Sequence, residues 1–336
     1  MTHKVAVVGA GIIGMTNAIV LLENGFDVTV FTKDDPLATN SDAAVATWFA
    51  PNNDKALLQK YCLKSLEKFD ELIKYKTPGV DKISELLYFK TESDFKNSVW
   101  AKESVRKLVE LSEDTAAQLK IDGFPFSVLV KIPLINPIFY RPHMLEHFKG
   151  LGGKLIEQEI ISLNDLVKSY PIVINSPGWE AKQLTLDDSV YPVRGQTEIC
   201  VIRDIKNDYS LNVEALNAYV VFRPATKGDG DCVLGTTYQI NDTDRKIRAS
   251  DKQDIISKIS TFFPIIKDVN THSKVGIRCG RNEVRVEEQR VGESMIVHCY
   301  GHGGSGYSAS WGSAHKVLEH CNEFVNAKTQ QARPKI

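Results

Sequence analysis

The sequence predicts an α/β fold, and three observations along the chain lead to this class. Strand and helix patterns alternate near the start, glycine-rich turns stand near both ends, and β-rich stretches occupy the second half. A length of 336 residues, with 43% hydrophobic and 25% charged residues, is typical of globular proteins with about two domains. The formal net charge of -1 argues against a dedicated nucleic-acid binder.

The cysteines and the first apolar run concern the cellular compartment. The six cysteines lie far apart without a C-x-x-C pair, which predicts reduced thiols and neither a zinc ribbon nor a disulfide framework. Glycines interrupt the apolar run over residues 5–20, so we expect no membrane span and no secretion signal. We expect a cytoplasmic protein, and the loose match of residues 334–336 to the Ser-Lys-Leu signal leaves a peroxisomal location open.

The first element is a βαβ unit. A β-branched strand over residues 4–8 leads into the turn Gly9-Ala10-Gly11-Ile12-Ile13-Gly14, and a helix pattern and a second strand over 27–31 follow. The first glycine permits the tight turn, the second lets the backbone approach a pyrophosphate, and the third allows close packing of helix on strand. Free amides at the start of the helix attract phosphate, so the turn predicts a dinucleotide site.

The stretch after the second strand allows three interpretations. A carboxylate usually holds the ribose hydroxyls there, and this chain has Thr32, Lys33 and Asp34. Lys33 favours an extra ribose phosphate and therefore a phosphorylated nicotinamide cofactor, whereas Asp34 would hold the ribose from a shifted position. The third interpretation is a solvated strand end without ligand contact.

The later elements suggest two domains whose segments alternate along the chain. Residues 56–119 are mostly helical in pattern, with helices expected over 57–75 and 99–119. The further expected elements are helices over 142–150, 251–263 and 308–326, and strands over 152–161, 171–175, 198–202, 218–222, 232–236 and 295–299. We infer an α/β domain built from residues 1–55, 140–185 and 275–336, and a mixed β-sheet plus helix domain inserted as 56–139 and 186–274.

A second glycine-rich loop distinguishes among cofactors. It reads Tyr300-Gly301-His302-Gly303-Gly304-Ser305-Gly306-Tyr307 and continues through Ser308 into the last predicted helix. Two helix starts are difficult to use on one nicotinamide dinucleotide, whereas FAD needs its pyrophosphate neutralised at one place and its isoalloxazine held at another. We therefore expect FAD, with a nicotinamide dehydrogenase as the alternative.

The chain resembles the D-amino acid oxidase family over nearly its full length. The matching segments, in family order, are 9–14, 41–51, 173–178, 193–196, 276–278, 284–287 and 298–312. The resemblance implies a Rossmann-like FAD-binding domain with an inserted mixed β-sheet plus helix substrate domain, and it allows a homodimer. The FAD contacts that it implies, besides the first glycine turn and residues 32–34, are Asn40, Ser41, Ala43, Ala44, Gly178, Arg278, Gly303, Gly304, Ser305, Gly306, Tyr307 and Ser308.

The resemblance also implies a reaction. A D-amino acid would transfer its α-hydrogen as hydride to the flavin, dioxygen would be reduced to hydrogen peroxide, and the products would be a 2-oxo acid and ammonia. Arg285 matches the family's carboxylate clamp, a role that suits a planar guanidinium. Tyr219 is expected to donate to the same carboxylate and Tyr238 to wall the pocket, while Arg278 would contact the flavin or support the site.

Other functions stay open at this point. D-aspartate or glycine oxidation are alternatives, and Arg223 or Lys227 would meet an acidic side chain. A catalytically degenerate flavin-binding protein is a further alternative, because Ala46 stands in a segment where the family often has glycine. His143 and His147 have metal-ligand spacing on a predicted helix, but no third ligand follows, so no metal site is expected.

Overall fold

A computed structural model describes residues 3–51, 55–112, 121–202, 209–224 and 230–331. The strands are β1 (Lys4–Val8), β2 (Asp27–Thr32), β3 (Val80–Phe89), β4 (Glu110–Ser112), β5 (Phe126–Ile135), β6 (Lys154–Glu157), β7 (Ile172–Asn175), β8 (Tyr191–Cys200), β9 (Ser210–Val213), β10 (Ala218–Arg223), β11 (Asp231–Gly235), β12 (Gln239–Ile240), β13 (His272–Gly280), β14 (Arg285–Val291) and β15 (Ser294–Tyr300). The α-helices are α1 (Ile12–Glu23), α2 (Ala56–Lys74), α3 (Glu92–Asn97), α4 (Glu103–Arg106), α5 (Pro137–Gly150), α6 (Leu163–Leu166), α7 (Ala181–Thr185), α8 (Ala249–Ile259) and α9 (Gly306–Gln331).

The first sheet contains the predicted βαβ unit. Its strand order is β14-β15-β7-β1-β2-β6, and all neighbours are parallel except the antiparallel pair β14 and β15. Side chains of β1 alternate between its faces, so that Val5 and Val7 pack with α1 and α9 while Ala6 and Val8 pack with α6. Helices therefore cover both faces, as expected of a buried parallel sheet.

The second sheet has nine strands in the order β12-β8-β11-β10-β9-β3-β5-β4, with β13 also paired to β8. Its pairs are antiparallel apart from β3 and β9. Leu86, Val220 and Leu234 pack with α8 on one face, whereas Leu87 of the opposite face joins the core of the first sheet and its helices. This continuous core holds the second sheet against the first.

The structure corrects the mostly helical prediction for residues 56–119. Helix α2 is present as expected, but residues 80–89 form β3, and α4 and β4 stand where a helix over 99–119 was expected; residues 113–119 lie outside the described ranges. Strand β3 is hydrogen-bonded to β5 and β9, which are distant in sequence. Long-range pairing therefore overrides the helix propensity of its lysine, glutamate and leucines.

The domain limits expected from sequence also differ from the packing. Helix α2, placed with the inserted domain, shares the core formed by α1 and α9. The limit at residue 275 divides β13, which pairs with β8 along its whole length. Among the described residues, no helix combines the length and apolar character needed to cross a membrane. Residues 334–336, with the loose peroxisomal match, lie outside the described ranges.

Candidate active site

A cavity of about 990 Å³ opens between the two sheets. On one side it is lined by residues that follow the carboxyl ends of β1, β2, β7 and β15. On the other side it is lined by residues of β3, β8, β9, β10 and β13. Ligands of open α/β sheets bind at the carboxyl ends of the strands, so this is the position where a dinucleotide is expected.

The first glycine turn lies at this edge as predicted, and its glycines are required by close contacts. Gly9 has a φ of +98°, and a Cβ there would overlap the Ser176 carbonyl. A Cβ on Gly14 would overlap the Gly9 carbonyl. Gly11, Ile12 and Ile13, at the start of α1, line the cavity. The backbone thus forms a close-fitting cradle beside a helix N-terminus, which suits a pyrophosphate.

The segment after β2 also reaches the cavity, with Thr32, Lys33 and Asp34 all in its lining. The Thr32 hydroxyl donates to the Asp34 carbonyl at 2.8 Å. The Lys33 ammonium pairs with Glu180 at 2.5 Å. Because Glu180 already balances this charge, the geometry favours unphosphorylated ribose at this end of the cavity.

Residues 40–44 connect the two glycine loops. The Ser41 hydroxyl accepts from the Ile12 amide at 2.9 Å, and the Ser41 carbonyl accepts from the Tyr307 hydroxyl at 2.9 Å. The Asn40 side-chain oxygen accepts from the Ile277 amide at 3.0 Å. Ala43 and Ala44 complete the wall. Both glycine loops therefore border one cavity, as the interpretation of a single bound FAD requires.

The second glycine loop leads into α9. Its members Gly303, Gly304, Ser305, Gly306, Tyr307 and Ser308 line the cavity, as does Gly178. The Gly303 amide donates to the Cys279 carbonyl at 2.8 Å, which fastens the loop to β13. The positive end of a 26-residue helix therefore borders the cavity, where it would stabilise negative charge on a reduced flavin.

His302 of this loop is not placed as an acid or base. Its Nε2 lies 2.9 Å from the Ser313 hydroxyl, and burial lowers the pKa of His302 to about 3. The ring is therefore neutral.

Arg278 places a positive charge in the part of the cavity wall that the second sheet forms. Its Nη2 donates to the Thr236 hydroxyl at 3.1 Å, and its Nη1 donates to the Thr237 carbonyl at 3.3 Å. The loss of surrounding water lowers the pKa of Arg278. Within the described ranges, no carboxylate lies in ion-pair distance of this guanidinium. Gly195 makes room for it, since a Cβ at that residue would overlap the guanidinium.

The two predicted tyrosines lie beside this arginine. Tyr219 of β10 packs against Gly235, where a Cβ would overlap its ring. Burial raises the pKa of Tyr219 to about 12, so the phenol stays protonated and can donate a hydrogen bond. The Tyr238 ring lies 5.7 Å from Cζ of Arg278, and the residue is 55% exposed. Tyr238 therefore forms an outer wall of the cavity.

The structure corrects the expectation for Arg285, which does not line the cavity. Its Nη1 donates to the Tyr300 hydroxyl at 2.6 Å, its Nε pairs with Glu287 at 2.5 Å, and Asp187 lies 3.7 Å away. Neighbouring groups thus occupy its guanidinium. Of these two arginines, Arg278 is the one that borders the cavity, because β13 belongs to the second sheet, whereas β14 is an edge strand of the first sheet.

The further candidates from the sequence are Arg223, Lys227 and Ala46. Arg223 forms two hydrogen bonds with Asp231 and does not line the cavity, so it is not available to an acidic substrate. Lys227 lies outside the described residues. Ala46 has a φ of +60°, the backbone conformation that a glycine adopts easily, so alanine preserves the local path at this residue.

Sequence reasoning missed several polar residues of the cavity wall, and two of them lie on adjacent strands of the second sheet. Glu85 of β3 and Asn212 of β9 line the cavity and are hydrogen-bonded to each other at 3.0 Å. Nothing local marks them, because a charged residue in this stretch fits the exposed face of a helix as well as the inward face of a strand.

Comparison with known proteins identifies the family of this chain. The family model described as FAD dependent oxidoreductase matches residues 4–319. A D-amino-acid oxidase of Rubrobacter xylanophilus is 30% identical over 321 residues, which cover 94% of each chain. The D-aspartate oxidase of Homo sapiens is 26% identical over 342 residues, covering 97% of this chain and 96% of the relative.

The fold is similar to that of solved oxidases. The glycine oxidase of Bacillus cereus ATCC 14579 superposes with a TM-score of 0.79 at 17% identity, covering 96% of this chain and 95% of that structure. The glycine cradle, the helix ends and the cavity between the sheets fit the cofactor of these relatives. The chain therefore belongs to the FAD dependent oxidoreductase family and is a D-amino-acid-oxidase-like, FAD-dependent oxidase.

Proposed function

We propose that this protein oxidises D-amino acids to 2-oxo acids, with release of ammonia and hydrogen peroxide. The observation that supports this proposal is the guanidinium of Arg278, which has no carboxylate partner within the described ranges and borders the same cavity as both glycine loops. A guanidinium without a counter-charge in a partly desolvated wall favours an anionic ligand.

The substrate carboxylate would bind to the fork of Arg278 and accept a hydrogen bond from the Tyr219 hydroxyl. Two donors on one arginine orient a carboxylate as well as hold it, because the paired hydrogen bonds define a plane. Thr236 and Thr237 keep the guanidinium in place through their oxygen atoms. The Tyr219 ring packs against the backbone of Gly235.

The remaining groups hold the cofactor and exclude water. The α1 amides and residues 32–34 would bind the adenosine and pyrophosphate end, and residues 303–308 would border the flavin. The chemistry that bound FAD would supply is acceptance of the hydride and reduction of dioxygen. The protein contributes orientation, since the neutral His302 is bound to Ser313 and is not positioned to take a proton.

The test is a panel of D- and L-amino acids with the FAD-loaded enzyme, measured by oxygen consumption and peroxide formation. We expect turnover with D-amino acids and none with their L-enantiomers. Absence of turnover with every D-amino acid, despite bound FAD, would contradict the proposal and favour a flavin-binding protein without this activity. Preference for D-aspartate or glycine over larger D-amino acids would favour the alternative substrates.

A further inference from the structure

We propose that Glu85 is a specificity-determining residue that selects D-amino acids whose side chain ends in an ammonium or guanidinium group. This inference rests on the proposed function, because it concerns the side chain of the same substrate.

Glu85 lies on the cavity side of the second sheet, although it is only 2% exposed. In the sheet it is paired with Val130 of β5 on one side and Ser210 of β9 on the other. Side chains alternate along a strand, so the adjacent residues Ser84 and Leu86 lie on the face of the sheet away from the cavity. The carboxyl group of Glu85 is therefore part of the cavity wall.

The hydrogen bonds of Glu85 are incomplete. One carboxyl oxygen, Oε1, accepts from the Asn212 side chain at 3.0 Å. The other, Oε2, is buried and has no hydrogen-bond partner in the described ranges. No lysine, arginine or histidine of those ranges lies in ion-pair distance of it. A buried carboxylate is costly unless a cation or donors satisfy it, so the missing partner is expected to be a ligand.

Glu85 stands at a suitable distance from the carboxylate site. Tyr219 of β10 is paired with Asn212 of β9, and β9 is followed in the sheet by β3. Asn212 is paired with Leu87 of β3, two residues from Glu85, so two strand spacings and two residues along β3, about 12 Å in all, separate the backbone of the carboxylate donor from that of Glu85. A substrate bound through its carboxylate to Arg278 and Tyr219 would span this distance with a long side chain, as in D-lysine or D-arginine.

Other side chains fit this end of the cavity less well. A second carboxylate would be repelled by an ionised Glu85, and Arg223 is paired with Asp231 and does not line the cavity. An apolar side chain would leave Oε2 without a partner. Burial also raises the pKa of Glu85 to about 7, so a cationic substrate group would have to stabilise the ionised form at neutral pH.

The first experiment compares kcat/KM for D-lysine and D-norleucine, which have the same carbon chain but differ in the terminal ammonium. We expect the FAD-loaded wild type to prefer D-lysine by about tenfold or more, as a charge-assisted contact provides. Glu85→Gln keeps the size of the side chain and its contact with Asn212, and should bring the ratio close to one. The matched control is Asp81→Asn on the same strand but outside the cavity lining, which should preserve the wild-type ratio.

A binding measurement separates this inference from the reaction itself. The probes are 6-aminohexanoate and hexanoate, which carry the carboxylate but lack an α-amino group. We expect the amino compound to bind about tenfold more tightly to wild type, measured by calorimetry, and this preference to disappear in Glu85→Gln.

The two proposals can fail separately. If D-amino acids are oxidised but wild type does not prefer D-lysine, or Glu85→Gln keeps the preference, the role of Glu85 is wrong and the proposed function stands. If no D-amino acid is oxidised, the proposed function fails, and the calorimetric comparison still decides whether Glu85 recognises a cation: loss of the preference in the variant supports it, and equal binding of both probes overturns it.

Discussion

Replacing Glu85 by glutamine should change the stability of the protein in a pH-dependent manner. Burial raises the pKa of this carboxyl from 4.5 to about 7, and the Asn212 hydrogen bond only partly opposes the increase. Between these values the folded protein retains a proton that the unfolded chain releases, so the free energy of unfolding decreases as the pH rises from 4.5 to about 7. Glu85→Gln removes this dependence.

The size of the effect follows from the two pKa values. The difference between about 7 and 4.5 is about 2.5, and each pH unit corresponds to about 1.4 kcal/mol. The free energy of unfolding of the wild type is therefore about 3 kcal/mol lower above neutral pH than near pH 4.5. The polar groups near Glu85 are Ser210 and Asn212 of the adjacent strand β9 and Tyr219 of the next strand β10, and none of them is ionised over this range.

The assay is urea unfolding of the FAD-loaded proteins, followed by tryptophan fluorescence at about pH 5 and about pH 8. We expect Glu85→Gln to resemble wild type at the lower pH and to be more stable at the higher pH, by an amount approaching 3 kcal/mol, about the value derived above. Glu67→Gln, on the exposed face of α2, is the control and should show no such dependence. An equal effect of Glu85→Gln at both pH values would refute the reasoning, because it would place the carboxyl in a water-like environment.

Four further substitutions test the site. Arg278→Ala should lower kcat/KM about 100- to 1,000-fold with FAD retained, because it removes a desolvated charge-assisted contact. Arg285→Ala should leave the steady-state kinetics close to those of the wild type. The reverse ranking would restore Arg285 as the residue that binds the substrate carboxylate. Gly235→Ala should raise KM about tenfold by displacing the Tyr219 ring, and an unchanged KM would show that the phenol does not contact substrate. Gly9→Ala would strain the backbone and place a Cβ against the Ser176 carbonyl, so it should weaken FAD retention in dialysis by about tenfold or more. Equal FAD content of wild-type and variant proteins after dialysis would contradict this expectation.

The parts of the fold that could be predicted are those governed by neighbouring residues. The β1 strand, the glycine turn and α1 follow from local patterns, because a turn that needs Gly9 and a helix that starts at Ile12 are written within about ten residues. The second glycine loop and α9 follow in the same way. The prediction that both loops hold one FAD came from the two glycine-rich helix starts and was supported by the family resemblance, and the Ser41 contacts agree with it.

The errors arise where long-range pairing decides. Strand β3 exists because β5 and β9 supply hydrogen bonds from distant segments, so the inward position of Glu85 has no local signal. Two of the three arginines in the 276–287 segment, Arg278 and Arg285, have similar local contexts. Which one reaches the substrate depends on β13 joining the second sheet and β14 the first, and this is a property of the sheet topology.

Ser41 connects the two ends of the cavity through hydrogen bonds. Its hydroxyl accepts a hydrogen bond at the start of α1, and its carbonyl accepts one from Tyr307 at the start of α9. A shift of either glycine loop therefore displaces the other. Occupancy of one end should therefore order the opposite end, a coupling that is typically about 1 kcal/mol or more. An adenosine nucleotide fragment alone should then increase the affinity of the protein for riboflavin, so that the two halves of the cofactor bind with positive cooperativity.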